Sequence, residues 1–239
     1  MLCQFYKSTV GKKVVVAATG TVFILFVIGH MIGNIKTFMG LDAITGLHKL
    51  DMYARFLREM GHQLVGHETA LWGVRIVLLA CLVVHVWTVY QLRRISKKAR
   101  PQKYVQTNFS SVTFASYSMW WGGLFLLLYI VFHILHLTTG QLHFEGFVEG
   151  AVYANVYYGF KVWYVTLFYV VAMGALAFHL YHGVWSLFQT LGLDNPDLNR
   201  PLRFSALGLA IVLFLGFVVV PLAVFTGCLP EPTALTLEV

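Results

Sequence analysis

Six histidines lie inside long apolar runs of this sequence: His30, His85, His133, His136, His179 and His182. The run "LFLLLYIVFHILHLTTG" alone holds two of them, three residues apart. An imidazole buried among hydrocarbon costs free energy unless something takes its lone pair or its proton. A single such histidine is most simply a hydrogen-bonded core residue. Six together call for a chemistry, and the neutral imidazole nitrogen is above all a metal ligand and proton carrier.

The elements that carry them follow from composition. The chain has 239 residues, 58% hydrophobic and 11% charged, with a mean hydropathy of +0.72. That is the composition of an integral membrane protein. Crossing the hydrocarbon takes about 20 apolar residues in a helix, and five stretches qualify: 14–35, 69–92, 118–138, 162–187 and 204–225. Strand alternation is absent, which argues against a barrel. The expected fold is all-α: one domain, residues 1–239, built as a five-transmembrane-helix bundle. The apolar run after Lys7, Lys12 and Lys13 continues for a full span without a distinct cleavage site, so it reads as a retained first helix.

Charge sets the expected orientation. Lys7, Lys12 and Lys13 precede the first span; Arg93, Arg94, Lys97, Lys98, Arg100 and Lys103 fill the second connection, and Arg200 and Arg203 the fourth. The first connection balances its bases with acids, and the third carries Glu145 and Glu149. The bias places the N-terminus in the cytoplasm and the C-terminus outside. The net charge of +7 thus reads as topology, with no nucleic-acid face. Within the first outer connection, Leu47, Leu50, Ala54 and Leu57 form one apolar stripe, the pattern of an amphipathic helix on the membrane surface or capping the bundle. Asp51 and Arg55 fall on its polar side. The aromatic third connection suits the interface.

Depth then sorts the histidines. His30 and His133 come late in spans one and three, toward the outer side. His85 and His179 come late in spans two and four, which run the other way, toward the inner side. The two layers are on the order of 15 Å apart at 1.5 Å per residue. Two imidazoles facing each other across a bundle are the axial ligands of a six-coordinate haem iron. Two layers imply two haems b, non-covalent because Cys3, Cys81 and Cys228 make no attachment motif. The spacing leaves a choice: one of His133 and His136, and one of His179 and His182, binds iron. The other lies about 300° round its helix, free for a propionate, a carbonyl or a quinone. Gly29, Gly33 and Gly183 either leave room for a flat macrocycle or serve close helix packing.

Other chemistries fit less well. A membrane desaturase gathers its histidines into one di-metal cluster, whereas "HILH" and "HLYH" lie at opposite depths. A cytochrome b with two ligands on each of two helices needs a spacing no span here has. A transporter or channel needs intramembrane acids or broken helices at mid-depth.

With "GKKVVVAATGTVFILFVIGHMIGN" around His30, "LVVHVWTVYQL" around His85, "SMWWGGLFLLLYIVFHILHLTTG" around His133 and "AFHLYHGVWSLFQTLG" around His179, nearly the whole chain resembles a known family. It is the cytochrome b558 membrane anchor of succinate dehydrogenase and fumarate reductase, in its single-subunit, five-helix, two-haem form. The resemblance implies that His85 and His179 hold the inner haem and His30 and His133 the outer one, with His136 and His182 as unmatched rivals. It also implies a flavoprotein subunit, an iron-sulfur subunit on the cytoplasmic face, and electron exchange with a membrane quinone, of which menaquinone suits the two-haem form. The protein would lie in the cytoplasmic membrane among lipid. A haem b anchor of a hydrogenase or formate dehydrogenase is the nearest alternative, and the fifth span and histidine order argue against it. Nothing in the chain could bind flavin through a Gly-rich βαβ unit or an iron-sulfur cluster through cysteines, so dicarboxylate chemistry belongs to a partner. Supporting residues would be Arg75 and Lys161 toward the outer propionates, or as snorkelling anchors, and Lys12, Lys13, Arg93 and Arg94 near the inner haem. Glu59, His67 and Glu68 at the outer entrance of span two are candidates for a quinone site.

Overall fold

The computed structural model describes residues 2–99, 114–144, 146–193 and 195–233. Arg100, Lys103 and Glu145, counted among the connection charges above, lie outside the described residues. Five long helices dominate: α2 (Thr9–Ile35), α5 (Thr69–Lys98), α6 (Phe114–Leu137), α8 (Trp163–Thr190) and α9 (Pro196–Phe225). Each is long and apolar enough to cross a membrane. Four short helices accompany them: α1 (Leu2–Lys7), α3 (Lys49–Glu59), α4 (His62–Val65) and α7 (Val152–Lys161). Among the described residues the only β feature is an isolated bridge between Leu41 and His48.

The helices reach past the expected spans because apolar runs mark the hydrocarbon limits, whereas backbone hydrogen bonding continues into water until a cap stops it. Ser8 caps α2 by accepting from Gly11 N at 2.9 Å. Asn195 caps α9 by accepting from Leu198 N at 2.9 Å, with Pro196 in the first turn. At the end of α6, Gly140 takes φ +73°, and an added Cβ would strike the Phe147 ring. Conformation and space both require glycine there.

The long helices make an uneven bundle. α8 is central, packed on α6, α9 and α2, while α5 packs on α2 and, at one end, on α3 and α4. One core joins α6, α7, α8 and α9 through Leu126, Tyr129, Phe160, Tyr169 and Val224. A second joins α2 to α8 and α9 through Leu180, Ala210 and Leu213. Leu25, Leu79, Leu128 and Leu215 are each more than half exposed, an arrangement that suits lipid and not water.

The end where α3 and α7 lie is called here the capped end, and the opposite one the open end. The amphipathic stripe does form α3, which caps the bundle by packing against α2, α5 and α7. One expectation needs correction. Asp51 is not on a solvated polar face: it is 0% exposed, and its Oδ1 accepts from Tyr153 N at 2.8 Å, at the first turn of α7. Such an acceptor satisfies an otherwise unpaired helix N–H. The aromatic third connection folds in part into α7 and buries Tyr153, Tyr157 and Phe160. Tyr153 stacks on His48 with ring centres 3.7 Å apart, and its hydroxyl donates to the Pro230 carbonyl at 2.6 Å. That one residue ties α3, α7 and the segment after α9 together.

Burial lowers the His48 pKa from 6.5 to about 4, while it raises that of the Asp51 carboxyl. Between pH 6.5 and 4 the unfolded chain therefore binds a proton at His48 that the folded cap does not. This term lowers stability as pH falls through that window, by up to about 3 kcal/mol. Asp51 acts in the opposite sense, taking up its proton in the fold before the unfolded chain does. Replacing His48 with Gln should remove the first term. Thermal unfolding in detergent at pH 7 and pH 4.5 should then show a smaller acid-induced drop in Tm than the unaltered protein.

Candidate functional site

The sequence leaves two histidines as rivals on α6, and the helix geometry separates them. His133 turns toward α2, where its ring centre lies 5.9 Å from that of His30 with the planes nearly perpendicular. Phe26 stacks on His30 at 5.4 Å and Phe217 of α9 lies 5.8 Å away. His136 turns the other way, toward α7. It is 0% exposed and stacks between Phe132 and His143, with ring centres 5.4 and 5.1 Å away. The Tyr169 hydroxyl of α8 stands 3.3 Å from His133 Nδ1 and 3.0 Å from His136 Nδ1.

The second pair sits nearer the open end. His85 of α5 leans on α2, where its Nδ1 lies 2.9 Å from Thr19 Oγ1. Thr19 Oγ1 is also 2.9 Å from its own Val15 carbonyl. A hydroxyl has one proton, and when that bond is made Oγ1 serves His85 as acceptor. His85 then donates from Nδ1 and keeps a lone pair on Nε2. His179 of α8 faces Gly123 of α6. Its Nδ1 is buried with no hydrogen-bond partner among the described residues. His182, one turn on, is half-buried.

Glycines lie beside these rings, where a Cβ would make ordinary contact. An added Cβ would stand 3.9 Å from His85 Cε1 at Gly20, and 3.6 Å from His179 Cε1 at Gly123. Gly29 and Gly183, by contrast, have open space beside them, and Gly33 packs on the Tyr53 ring. Close helix packing therefore describes Gly33 and neither of the other two. Along α2 the contacts at Thr19 and His30 are about 16 Å apart, and along α6 those at Gly123 and His133 are about 15 Å apart, at 1.5 Å per residue. The four histidines thus stand at two heights, with His30 and His133 facing each other at one of them. Among the described residues no three His, Cys, Asp or Glu side chains gather as a metal site.

The His30–His133 pair fits a bis-imidazole iron. Two imidazoles on opposite sides of one metal, each nitrogen about 2 Å from it, place their ring centres about 6 Å apart. His30 and His133 are at that separation. His85 and His133 each engage Nδ1 with a hydroxyl, the second contact that orients a ligating histidine. α2 is not closely packed on α6, nor α5 on α8, among the described residues. α2 and α6 meet here through the His30 and His133 side chains, which suits a flat macrocycle between them.

The remaining candidates lie elsewhere. Arg75 spreads over the Trp72 ring at 4.8 Å and Lys161 over Tyr157 at 5.0 Å, each at a span end. Glu68 pairs with Arg58 at 3.5 Å on the surface, and Glu59 and His67 are exposed. Beside them opens an apolar groove of about 470 Å³, lined by Val22 and Phe26 of α2 and Ala70, Gly73 and Val77 of α5. At the open end Lys12 is buried, with Nζ bonded to the Tyr6 carbonyl at 2.7 Å, which closes α1 onto α2. Arg93 stacks on Trp120 at 3.8 Å, linking α5 to α6, and Arg94 lies over Tyr90 at 5.9 Å. Lys13 is exposed.

Thr19, Tyr169, Gly20, Gly123 and Gly159 are not found by reading the sequence for ligands. Four of them carry no common metal-ligating group and tyrosine is an uncommon haem ligand, and each meets its histidine across a helix interface. Gly159 is the most constrained, since a Cβ there would lie 2.9 Å from His136 Cε1 and 3.0 Å from Nε2. His136 is held on both faces and cannot retreat. Gly159→Ala should destabilise by about 1–3 kcal/mol through overpacking, while Gly29→Ala should stay within about 0.5 kcal/mol. Paired thermal melts in detergent read the difference.

Comparison with known proteins finds no matching family model, no matching curated protein and no matching solved structure.

Proposed function

We propose that this chain is the dihaem cytochrome b membrane anchor of a succinate:quinone oxidoreductase. It would transfer electrons between an iron-sulfur subunit and a membrane quinone. The observation that carries the reading is the approach of His30 and His133 from two helices to a ring-centre distance of 5.9 Å, with His85 held on Thr19 at a second height along α2. The motifs around His30, His85, His133 and His179 add the family resemblance. The sequence further implies two haems b, a flavoprotein partner that performs the dicarboxylate chemistry, and the capped end facing outward in the cytoplasmic membrane.

When bound, haem b supplies one-electron redox chemistry. The work of the residues is to hold it and insulate it. His30 and His133 would ligate at the capped end, His85 and His179 toward the open end. Phe26 and Phe217 flank His30 and exclude water. Thr19 and Tyr169 hold the outward nitrogens of His85 and His133. The groove between α2 and α5 approaches the His30 pair through Phe26 and offers a quinone an apolar path from lipid. Arg93, Lys98 and their neighbours at the open end present positive charge to an acidic partner surface.

The purified protein, supplied with haem, should show b-type bands in a reduced-minus-oxidised spectrum; their absence would remove this reading. Pyridine haemochrome counting should then give two haems. His30→Ala and His133→Ala should each lose one and the same haem, His85→Ala and His179→Ala the other, and His136→Ala neither. Loss of both haems from any one of these variants while still folded would contradict two separate pairs.

A further inference from the structure

The haem reading leaves His136 without a task, although it is the most deeply buried histidine of the spanning helices. Its link to His133 is the Tyr169 hydroxyl, which stands within hydrogen-bond distance of both Nδ1 atoms. Tyr169 is 4% exposed, and Phe160 and Tyr129 wall its ring at 4.8 and 5.2 Å. The balance of protons is therefore decided locally. A phenol has one proton to give, and each neutral imidazole has one to place on either nitrogen. Both contacts can be hydrogen bonds only if at least one histidine donates from Nδ1.

Three arrangements satisfy that count. If His136 donated to the phenol and the phenol to His133, the His133 proton would sit on Nε2, and no lone pair would be left for iron. If both histidines donated, the buried phenol proton would have no acceptor, at a cost of about 1–3 kcal/mol. The third arrangement leaves the least unmet: His133 donates from Nδ1 to the Tyr169 oxygen and Tyr169 donates to His136 Nδ1, so that only His136 Nε2, which has no hydrogen-bond partner among the described residues in any of the three, stays unsatisfied. We infer that Tyr169 is a positioning residue for the His30–His133 pair, fixing His133 with its Nε2 lone pair free, and that His136 is the acceptor that orients the phenol. This inference rests on the haem reading. It gives His136 a place in the sequence other than that of rival ligand. Gly159 keeps space beside that ring, and the stacking of Phe132 and His143 holds it still.

A ligand that donates its second N–H becomes more basic toward the metal, which favours ferric over ferrous iron. The test uses the haem-loaded full-length protein, with optical redox titration and EPR of the ferric low-spin signals. Tyr169→Phe keeps the ring and removes the hydroxyl. It should retain two haems, raise the midpoint potential of one and leave the other unchanged, with a matching change in a single EPR signal. In a His85→Ala background the one remaining haem should be the haem that shifts. His136→Leu should move the same midpoint in the same direction by less, because the phenol still accepts but is no longer polarised by a second bond. Unchanged midpoints and EPR in Tyr169→Phe, or a shift confined to the other haem, would overturn the inference. Should Tyr169→Phe fail to assemble, an unchanged midpoint in His136→Leu would do so. The haem reading fails separately, by absent b-type bands in the unaltered protein before any variant is made.

Discussion

His30 and His133 come within 5.9 Å of each other from two helices whose backbones are not closely packed. Two imidazoles brought together in an apolar interior gain little from each other. Each still has a lone pair and a proton to satisfy, and water cannot do it there. The surroundings show how the demand is met. Nδ1 of His133 faces a phenol hydroxyl and Nδ1 of His85 a threonine hydroxyl. A lone pair on the second nitrogen is what the proposed cofactor would bind.

The remaining architecture can be read as holding that approach in place. α8 supplies His179 and Tyr169 and is packed on α6, α9 and α2. Its position ties the two heights together through one rigid element. At the capped end, Asp51, His48 and Tyr153 join α3 to α7, and α7 in turn closes over His136 with Gly159 and Phe160. The cap is thus continuous with the hydrogen-bonded chain that begins at His133. A carboxylate buried at a helix N-terminus and a neutral histidine stacked on a phenol are both disfavoured in water-poor surroundings when charged, so the cap carries a pH response of its own.

α5 is held differently. It leans on α2 through His85 and Thr19, and is tied at the open end by Thr88 to Tyr6 at 3.1 Å and by Arg93 stacked on Trp120. Trp72, Val77, Leu79, Val83 and Trp87 along it are all more than half exposed. A helix so little enclosed by its own chain depends on lipid, on a cofactor or on a partner to complete its packing. The two polar ties at the open end keep its register where hydrophobic packing is thin.

Much of this was legible from the residues in order. Apolar runs of about 20 identify the five spans, because a helix must hide its backbone from hydrocarbon over a fixed thickness. The direction of successive spans sorts His30 with His133 and His85 with His179, because heights follow from rise per residue alone. What order along the chain could not decide is rotation about each helix axis. His133 and His136 are three residues apart and nearly equal in depth; only the packing of α6 against α8 and α7 turns one to His30 and the other to Gly159. The same limit hides Thr19 and Tyr169, whose hydroxyls matter only for what they face across a helix boundary, and it hides the burial of Asp51, whose partner lies 102 residues away. Depth is a one-dimensional property and the sequence by itself determined it; facing is a three-dimensional one, and only the assembled bundle decided it.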